Sequence, residues 1–222
     1  MASSSYWGLL RRRSCWLPTV RGVLLLLILF ACLLIFGFRN IQAFLAVNDP
    51  APEGILVVEG WSPDYALETA RLEEQGNPHH LLYVVGGPLE QGAPLSQYPT
   101  YADLGAAILL RMGMSQDTVQ AVPSGYVYKD RTYAEAVALS NWLRQQGTLP
   151  KEINLISLGA HARRSRLLFE KAFGKSTRVG IIAVEDRNYD PGHWWKTSEG
   201  VRSVISETIA YGYARLLFSP TH

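Results

Sequence analysis

A group of cationic side chains follows a buried-strand pattern between residues 153 and 174. The apolar run 153–158 is typical of a strand buried on both faces, and Gly159 separates it from a helical pattern. The first turns of that helix carry four cationic candidates, namely His161, Arg163, Arg164 and Arg166. Cations at a helix N-terminus carry an electrostatic cost that a bound phosphate or carboxylate would remove. The alternative is a solvated basic helix face with a hydrogen-bonded histidine.

Five apolar runs alternate with helical patterns and predict where these side chains are held. The predicted strands are residues 54–58, 81–85, 119–122, 153–158 and 179–184. Such alternation predicts an α/β domain with a mainly parallel five-stranded sheet and crossover helices. Ligands of open parallel sheets bind beyond the carboxyl ends of the strands, so the residues after each strand are the site candidates.

Those strand ends carry a consistent set of polar and glycine residues. Glu59 follows the first strand, Gly86 and Gly87 the second, Arg131 and Thr132 the third, and His161 the fourth. Two long connections, 89–99 and 124–130, could act as lids over them.

Four helix features are predicted from caps and periodicity. Ser62 and Pro63 are expected to open the first helix of the domain, and Thr100 with Asp103 the second. Thr132 and Glu135 match a capping box for the third. The last helix, about 198–218, is expected to pack its apolar stripe in the core, the stripe being Val201, Val204, Ile205, Thr208, Ile209, Gly212 and Leu216.

Several charged candidates have two interpretations each. Glu59 suits a general base or a helix-cap partner, and Arg71 suits a ligand contact or an ion pair. His161 and Arg164 are three residues apart and share a helix face, which favours one site for both. Arg131 fits either an anion contact or an exposed helix start, whereas Glu135 is interpreted as the capping-box carboxylate.

The N-terminal region predicts a membrane anchor. Residues 22–38 are 17 uncharged, mostly Leu, Ile and Phe positions, spanning about 26 Å as a helix. Four arginines precede this run and one follows it closely, which places residues 1–21 in the cytoplasm and the rest outside. A cleaved signal peptide is the first alternative to an uncleaved anchor, and a lipoprotein cleavage site at Cys32 is the second. Residues 39–53 are then a linker, and 54–218 the outer domain.

Charge and cysteine content restrict the partners. Residues 1–39 hold 5 of the 21 basic and none of the 19 acidic residues, leaving 16 basic against 19 acidic residues beyond. Nucleic acid is therefore not an expected partner. Both cysteines, Cys15 and Cys32, precede the domain, and no metal-ligand spacing is found among its histidines, so neither metal nor cofactor is expected. Phosphate-binding P-loop, nucleophile-elbow and full dinucleotide motifs are absent from the sequence.

The domain sequence resembles the DUF218 family, also called the YdcF, SanA and ElyC group, over residues 54–217. The resemblance is carried by separate landmarks, namely Ile-Leu-Val-Val-Glu-Gly at 55–60, Arg71, Gly86-Gly87, Arg131-Thr132-Tyr133-Ala134-Glu135-Ala136 and His161-Ala162-Arg163-Arg164. It implies a Rossmann-like three-layer fold behind one membrane helix in bacterial members. It also implies a role in cell-envelope biogenesis, and no settled reaction comes with it.

Together these observations predict a bacterial inner-membrane protein that binds a phosphate-bearing envelope intermediate, lipid-linked ones included. The expected ligand contacts are Gly86, Gly87, Arg71, Arg131, Thr132 and Arg164. The expected catalytic pair, if phosphoryl or glycosyl-phosphate hydrolysis or transfer takes place, is His161 and Glu59. A non-catalytic sensor of envelope or peptidoglycan precursors is the alternative.

Overall fold

A computed structural model of the chain describes residues 19–76, 81–89 and 96–220, and it divides into two compact units after Arg39. The described part of the first unit lies in helix α1, Val20–Leu45, whose last residues belong to the second unit. The most apolar 18 residues of α1 have a mean hydropathy of 2.7, and none of them is buried. By length and composition α1 can cross a membrane.

The second unit contains an all-parallel sheet of five strands in the order β3-β2-β1-β4-β5. The strands are β1 Ile55–Glu59, β2 Leu82–Gly86, β3 Val119–Pro123, β4 Glu152–Leu158 and β5 Arg178–Val184. The helices are α2 Asp64–Gly76, α3 Tyr101–Arg111, α4 Arg131–Gln145, α5 Ala162–Phe173 and α6 Ser198–Leu216. The predicted α/β class and parallel sheet are confirmed, with each predicted strand shifted by no more than one residue at either end.

Alternate strand residues fill two cores, one on each face of the sheet. Val57 and Leu155 are fully buried against α4 and α5, whereas the neighbouring Val58 and Ile156 are fully buried against α2 and α3. This alternation follows from the two-residue period of a strand and explains why both sequence runs are continuously apolar. The result is a three-layer domain.

Two of the predicted helix starts are wrong. Helix α2 begins at Asp64, and Pro63 lies before it, with its carbonyl accepting hydrogen bonds from the backbone of the first turn. Thr132 and Glu135 both lie inside α4, whose N-cap Asp130 has a φ of 57° and makes no side-chain cap bond. They form no capping box because Glu135 turns toward another strand end. The Thr100 cap of α3 is confirmed by its bond from the Asp103 N–H at 3.1 Å.

The predicted core stripe of α6 is also wrong at most of its positions. Val201, Ile205, Ile209 and Leu216 are 41%, 44%, 68% and 81% exposed. Of the predicted stripe Val204 is buried against the domain, together with Ala214, which the stripe did not include. The two sets lie on opposite sides of α6, so most of its apolar residues face away from the core.

Gly60, directly after β1, is required by a close backbone approach. A methyl group on Gly60 would overlap the carbonyl of Tyr101 at the start of α3, and a Cβ on Gly86 would lie 2.5 Å from the Ala102 nitrogen. Helix α3 therefore packs its first turn directly on the ends of β1 and β2.

We expect Gly60→Ala to lower the free energy of unfolding by about 1–3 kcal/mol, because backbone atoms rather than a flexible side chain must move. Gly76→Ala is the control, since nothing lies within 4 Å of an added Cβ there. Thermal melts of both variants check the expectation, and equal melting temperatures would contradict it.

Candidate functional site

Glu59 is the last residue of the central strand β1, and its side chain is fully buried. Ser157 Oγ, from β4, donates to Glu59 Oε2 at 2.6 Å, and Ser165 Oγ, from α5, donates to Oε1 at 2.9 Å. His161 Nε2 lies 3.2 Å from Oε1. A buried carboxylate is tolerated because these donors replace its water.

His161 lies between two carboxylates. It ends the 3-10 turn Gly159–His161 that joins β4 to α5, and Gly159 makes this turn with a φ of +46°. Its Nδ1 lies 2.9 Å from Glu207 Oε1, on α6, while its Nε2 faces Glu59. The ring of Trp61 meets the imidazole edge-on, with centroids 5.2 Å apart. With a carboxylate at each nitrogen, the ring is held as an imidazolium that donates to both.

Arg164 completes a cluster of four charges, which we call the charged cluster: Glu59, His161, Arg164 and Glu207. Arg164 Nε and Nη2 donate to the two oxygens of Glu207 at 2.7 and 3.0 Å. Arg164 Nη2 also lies 2.9 Å from His161 Nδ1. Because both of these groups are donors when charged, we assign the attraction to Glu207 Oε1, which accepts from each.

The environment of the cluster holds all four groups in their charged forms. Burial by itself lowers the pKa of His161, but the carboxylates of Glu59 and Glu207 raise it to about 9. Burial raises the pKa of Glu207, but the bonds from His161 and Arg164 outweigh it and bring that pKa to about 2. The pKa of Glu59 is likewise lowered, against burial, by His161 and the two serines.

Glu135 is a second buried carboxyl group, 5% exposed, beside the strand ends. Its Oε1 accepts a hydrogen bond from the Gly87 N–H at 3.2 Å, and its Oε2 is buried with no partner among the described residues. Burial first, and then the charge of Glu59, raises the pKa of Glu135 to about 7. Near neutral pH this group therefore carries a proton for much of the time.

The charged cluster lies at the topological switch point of the sheet. From β1 the chain proceeds to β2 and β3 on one side, and then returns to β4 on the other side of β1. The connections that leave the ends of β1 and β4 therefore diverge, and the crevice at such a divergence is where open α/β sheets bind ligands. Glu59 ends β1 and His161 follows β4, and their side chains meet at this point with Oε1 and Nε2 3.2 Å apart.

The structure brings together most of the site residues predicted from sequence. Glu59, His161 and Arg164 are in the charged cluster, and Gly87 contacts Glu135. Arg131 is exposed, and its charge acts on Glu135, as does that of His161. The charge of the adjacent Asp130 acts on Arg164, so the start of α4 belongs to the same edge.

The remaining predicted contacts have other surroundings. Arg71 donates from Nε and Nη2 to Glu68 at 2.8 and 2.6 Å, and within the described residues no hydrogen bond or ion pair joins it to the charged cluster. Gly86 packs against the first turn of α3, and Thr132 is buried inside α4. In the first of the two proposed lids, 89–99, residues 90–95 lie outside the described residues. The other, at 124–130, is described and carries the exposed Tyr126 and Tyr128.

Sequence reasoning did not find Glu207, Ser157 and Ser165. Glu207 lies 46 residues after His161, on a helix whose buried face was assigned to the opposite side. Ser165 was counted as a small packing residue, although it donates to the buried Glu59. A usable signal was the isolated serine within the apolar run 153–158, because a buried hydroxyl needs a partner.

Comparison of the chain with protein-family models, with curated proteins and with solved structures finds no match. The site is therefore interpreted from its own geometry.

Proposed function

We propose that this protein is a membrane-anchored, extracytoplasmic member of the bacterial cell-envelope machinery that binds a phosphate-bearing intermediate at the switch-point crevice. The observation that carries the proposal is the pair of cations His161 and Arg164, held at the first turn of α5. Anions are stabilised at such a helix start by its free N–H groups and its dipole. The resemblance to the DUF218 family supports the envelope role.

The hydrogen-bond donors of the crevice suit an anion. Two cations and two carboxylates balance within the charged cluster, and Arg131 and Asp130 add one charge of each sign at the start of α4. Glu207 occupies Nε and Nη2 of Arg164, so Nη1 is outside that ion pair. A phosphate between Arg164 Nη1 and Arg131 would be held by charge-assisted hydrogen bonds from two elements.

An open groove next to Asp130 suits the apolar part of a lipid-linked ligand. It encloses about 390 Å³ and is lined by residues of the 124–130 loop, the first turn of α4 and the C-terminal segment, among them Val127, Tyr133, Phe218 and Pro220. The charge of Asp130 acts on Arg164. An alkyl phosphate could therefore place its head at the cations and its chain in the groove.

Two carboxyl groups with different pKa values support hydrolysis or transfer of the phosphoryl or glycosyl-phosphate group. Glu59 stays ionised and holds the His161 imidazolium, whereas Glu135 carries a proton near neutral pH. Such a separation is typical of acid and base roles. In this function the arginines hold the anion, and His161 or Glu135 protonates the leaving oxygen.

The alternative, a non-catalytic sensor, is favoured by the burial of Glu59. Its carboxylate is fully buried and already accepts from Ser157, Ser165 and His161. It does not reach solvent, so in this arrangement it can act only through His161.

We expect Arg164→Ala and Arg131→Ala each to weaken binding of hexyl phosphate by about 10- to 150-fold, the value of one charge-assisted hydrogen bond. Arg164→Lys should recover part of the loss, because lysine lacks the guanidinium fork. Calorimetry on the full-length protein in nanodiscs, with inorganic phosphate and hexanol for comparison, measures the effect.

The matched control is Arg166→Ala, since Arg166 is on the same helix but pairs with Asp49 and Glu170. The affinity of this variant for hexyl phosphate should stay within about twofold of the wild-type value. Unchanged affinity in both arginine variants would contradict the binding site. Release of inorganic phosphate from hexyl phosphate by the wild-type protein, abolished in His161→Gln, would favour the enzyme over the sensor.

The proposed topology places the N-terminus in the cytoplasm and the α/β domain outside. We expect an alkaline phosphatase fused after His222 to be active, because this reporter folds only in an oxidising compartment. The chain should remain in the membrane fraction with its N-terminus intact. An inactive fusion would contradict the orientation, and a soluble mature form would show a cleaved signal.

A further inference from the structure

Helix α6 presents an exposed apolar stripe, which consists of Val201, Ile205, Ile209, Tyr213 and Leu216. Their exposed fractions are 41%, 44%, 68%, 42% and 81%. The spacing of three and four residues places all five on one side of the helix. Leu217, 76% exposed, extends the apolar surface at the end of the helix.

The domain does not need this stripe for its own core. Val204 and Ala214 are buried on the opposite side of α6, where Glu207 also bonds to the charged cluster. The fold thus uses one side of α6 and leaves a second, apolar side in solvent. A contiguous exposed apolar surface of this kind is typical of an interaction site.

The charges on α6 favour an anionic partner. Helix α6 has two acidic side chains: Glu199, which is exposed in its first turn, and Glu207, which is turned inward to His161 and Arg164. Its two basic side chains, Arg202 and Arg215, are exposed, so the exposed charges of the helix are two positive and one negative. An apolar stripe with flanking arginines is the pattern of helices that lie in the headgroup layer of anionic bilayers.

Helix α6 is also adjacent to the place where the chain enters the second unit. The rings of Phe44 and Tyr211 meet edge-on with centroids 5.7 Å apart, and Leu45 is buried in the same apolar cluster as Val204. The last turn of α1, which belongs to the second unit, therefore packs on α6.

A second copy of the chain fits the stripe less well than a lipid surface does. A stable dimer buries about 800 Å² on each partner, from about 20–30 residues with complementary shape. The stripe offers six apolar side chains on one convex helix. A lipid surface needs no matching shape.

We propose that the α6 stripe docks on the anionic bilayer surface and holds the domain against the membrane. The contact buries Ile205, Ile209 and Leu216 among the headgroups, while Arg202 and Arg215 meet lipid phosphates. The proposal uses the membrane anchor but not the crevice, so failure of phosphate binding there would leave it standing.

The test places a fluorescent label at residue 209 in the full-length protein. Ile209→Cys, with Cys15→Ser and Cys32→Ser, is labelled with an environment-sensitive dye in nanodiscs that contain phosphatidylglycerol and spin-labelled lipid. The matched control is Leu72→Cys, an exposed apolar position, 54% exposed, on α2 in the opposite layer. We expect the spin label to quench residue 209 at least twofold more than residue 72.

Three further outcomes decide the proposal. A second variant, Ile205→Glu, should reduce the quenching at residue 209 without changing the melting temperature, because residue 205 is already in solvent. Equal quenching at residues 209 and 72 would overturn the proposal. The unlabelled Ile209→Cys protein is also prepared at an average of one copy for every two nanodiscs. If it forms disulfide-linked dimers there, and the labelled protein shows no quenching by lipid, the proposal is overturned in favour of self-association.

Discussion

Replacing Glu59 with glutamine is expected to lower the free energy of unfolding by about 3–5 kcal/mol, as in other buried ion pairs from which one partner is removed. Glu59 is fully buried and accepts from Ser157, Ser165 and His161. An uncharged amide would leave the His161 imidazolium with one carboxylate fewer. The NH₂ group of the amide would also face hydrogen-bond donors, with which it cannot pair. Denaturant titration of the detergent-solubilised protein, followed by tryptophan fluorescence, measures the loss.

Two further variants separate this cause from a general effect of removing a carboxylate. Glu68→Gln breaks an ion pair with Arg71 in which the glutamate side chain is 41% exposed, and it should cost much less stability than Glu59→Gln because solvent screens the pair. Adding His161→Gln to Glu59→Gln should recover part of the stability, because the buried cation is then gone. Equal losses in the Glu59 and Glu68 variants would contradict the assigned role of the cluster.

The charged cluster also sets the pH range in which the fold is most stable. The pKa of His161 is raised from 6.5 to about 9, so its contribution is complete below pH 6.5 and is lost as the pH rises through about 9. The pKa of Glu207 is lowered from 4.5 to about 2, so its contribution is complete above pH 4.5 and is lost as the pH falls through about 2. Both are therefore fully present between about pH 4.5 and 6.5.

The strands β1, β2 and β4 were predictable because each is buried on two faces. A continuous apolar run such as residues 153–158 has few alternatives in a domain whose runs alternate with helices. The order of strands follows less directly, since the sequence does not state on which side of β1 the fourth strand pairs. That choice creates the switch point and hence the crevice.

The orientation of α6 could not be read from its periodicity. Its larger apolar set, with Ile205, Ile209 and Leu216, faces solvent, and the smaller set, with Val204 and Ala214, faces the core. A hydrophobic stripe predicts that one face of a helix is covered, but it does not identify the element or the partner that covers it. In this chain the polar Glu207 marks the buried face, because it bonds to His161 and Arg164.

Part of the candidate site was predictable because two of its residues are close together in the sequence. His161 and Arg164 are three residues apart on one helix turn, and their side chains meet, with Nδ1 and Nη2 2.9 Å apart. Glu207 is 43 residues from Arg164, so its contact depends on how α6 packs. The role of Glu135 was obscured by a capping-box pattern that its actual bond to Gly87 replaces.

Replacing Glu135 with glutamine is expected to stabilise the protein by about 3 kcal/mol at pH 8 and to have little effect at pH 4. The pKa of Glu135 is raised from 4.5 to about 7, so the proton stabilises the fold below pH 4.5, and this contribution is lost as the pH rises through about 7. Above that, the wild-type protein must bury a carboxylate whose Oε2 has no partner among the described residues. Glutamine keeps an oxygen for the Gly87 N–H without that charge.

Denaturant titration at pH 4, 6 and 8 follows the difference between the Glu135→Gln variant and the wild-type protein. The control is Glu170→Gln, whose side chain is 45% exposed, so that removing its charge should change the stability much less than Glu135→Gln does at pH 8. A difference for Glu135→Gln that is independent of pH would contradict the raised pKa. A stabilisation by Glu135→Gln that increases with pH would instead show that the wild-type protein holds a proton on a buried oxygen beside Gly87. From there the proton can be donated to an oxygen of a ligand that enters the crevice.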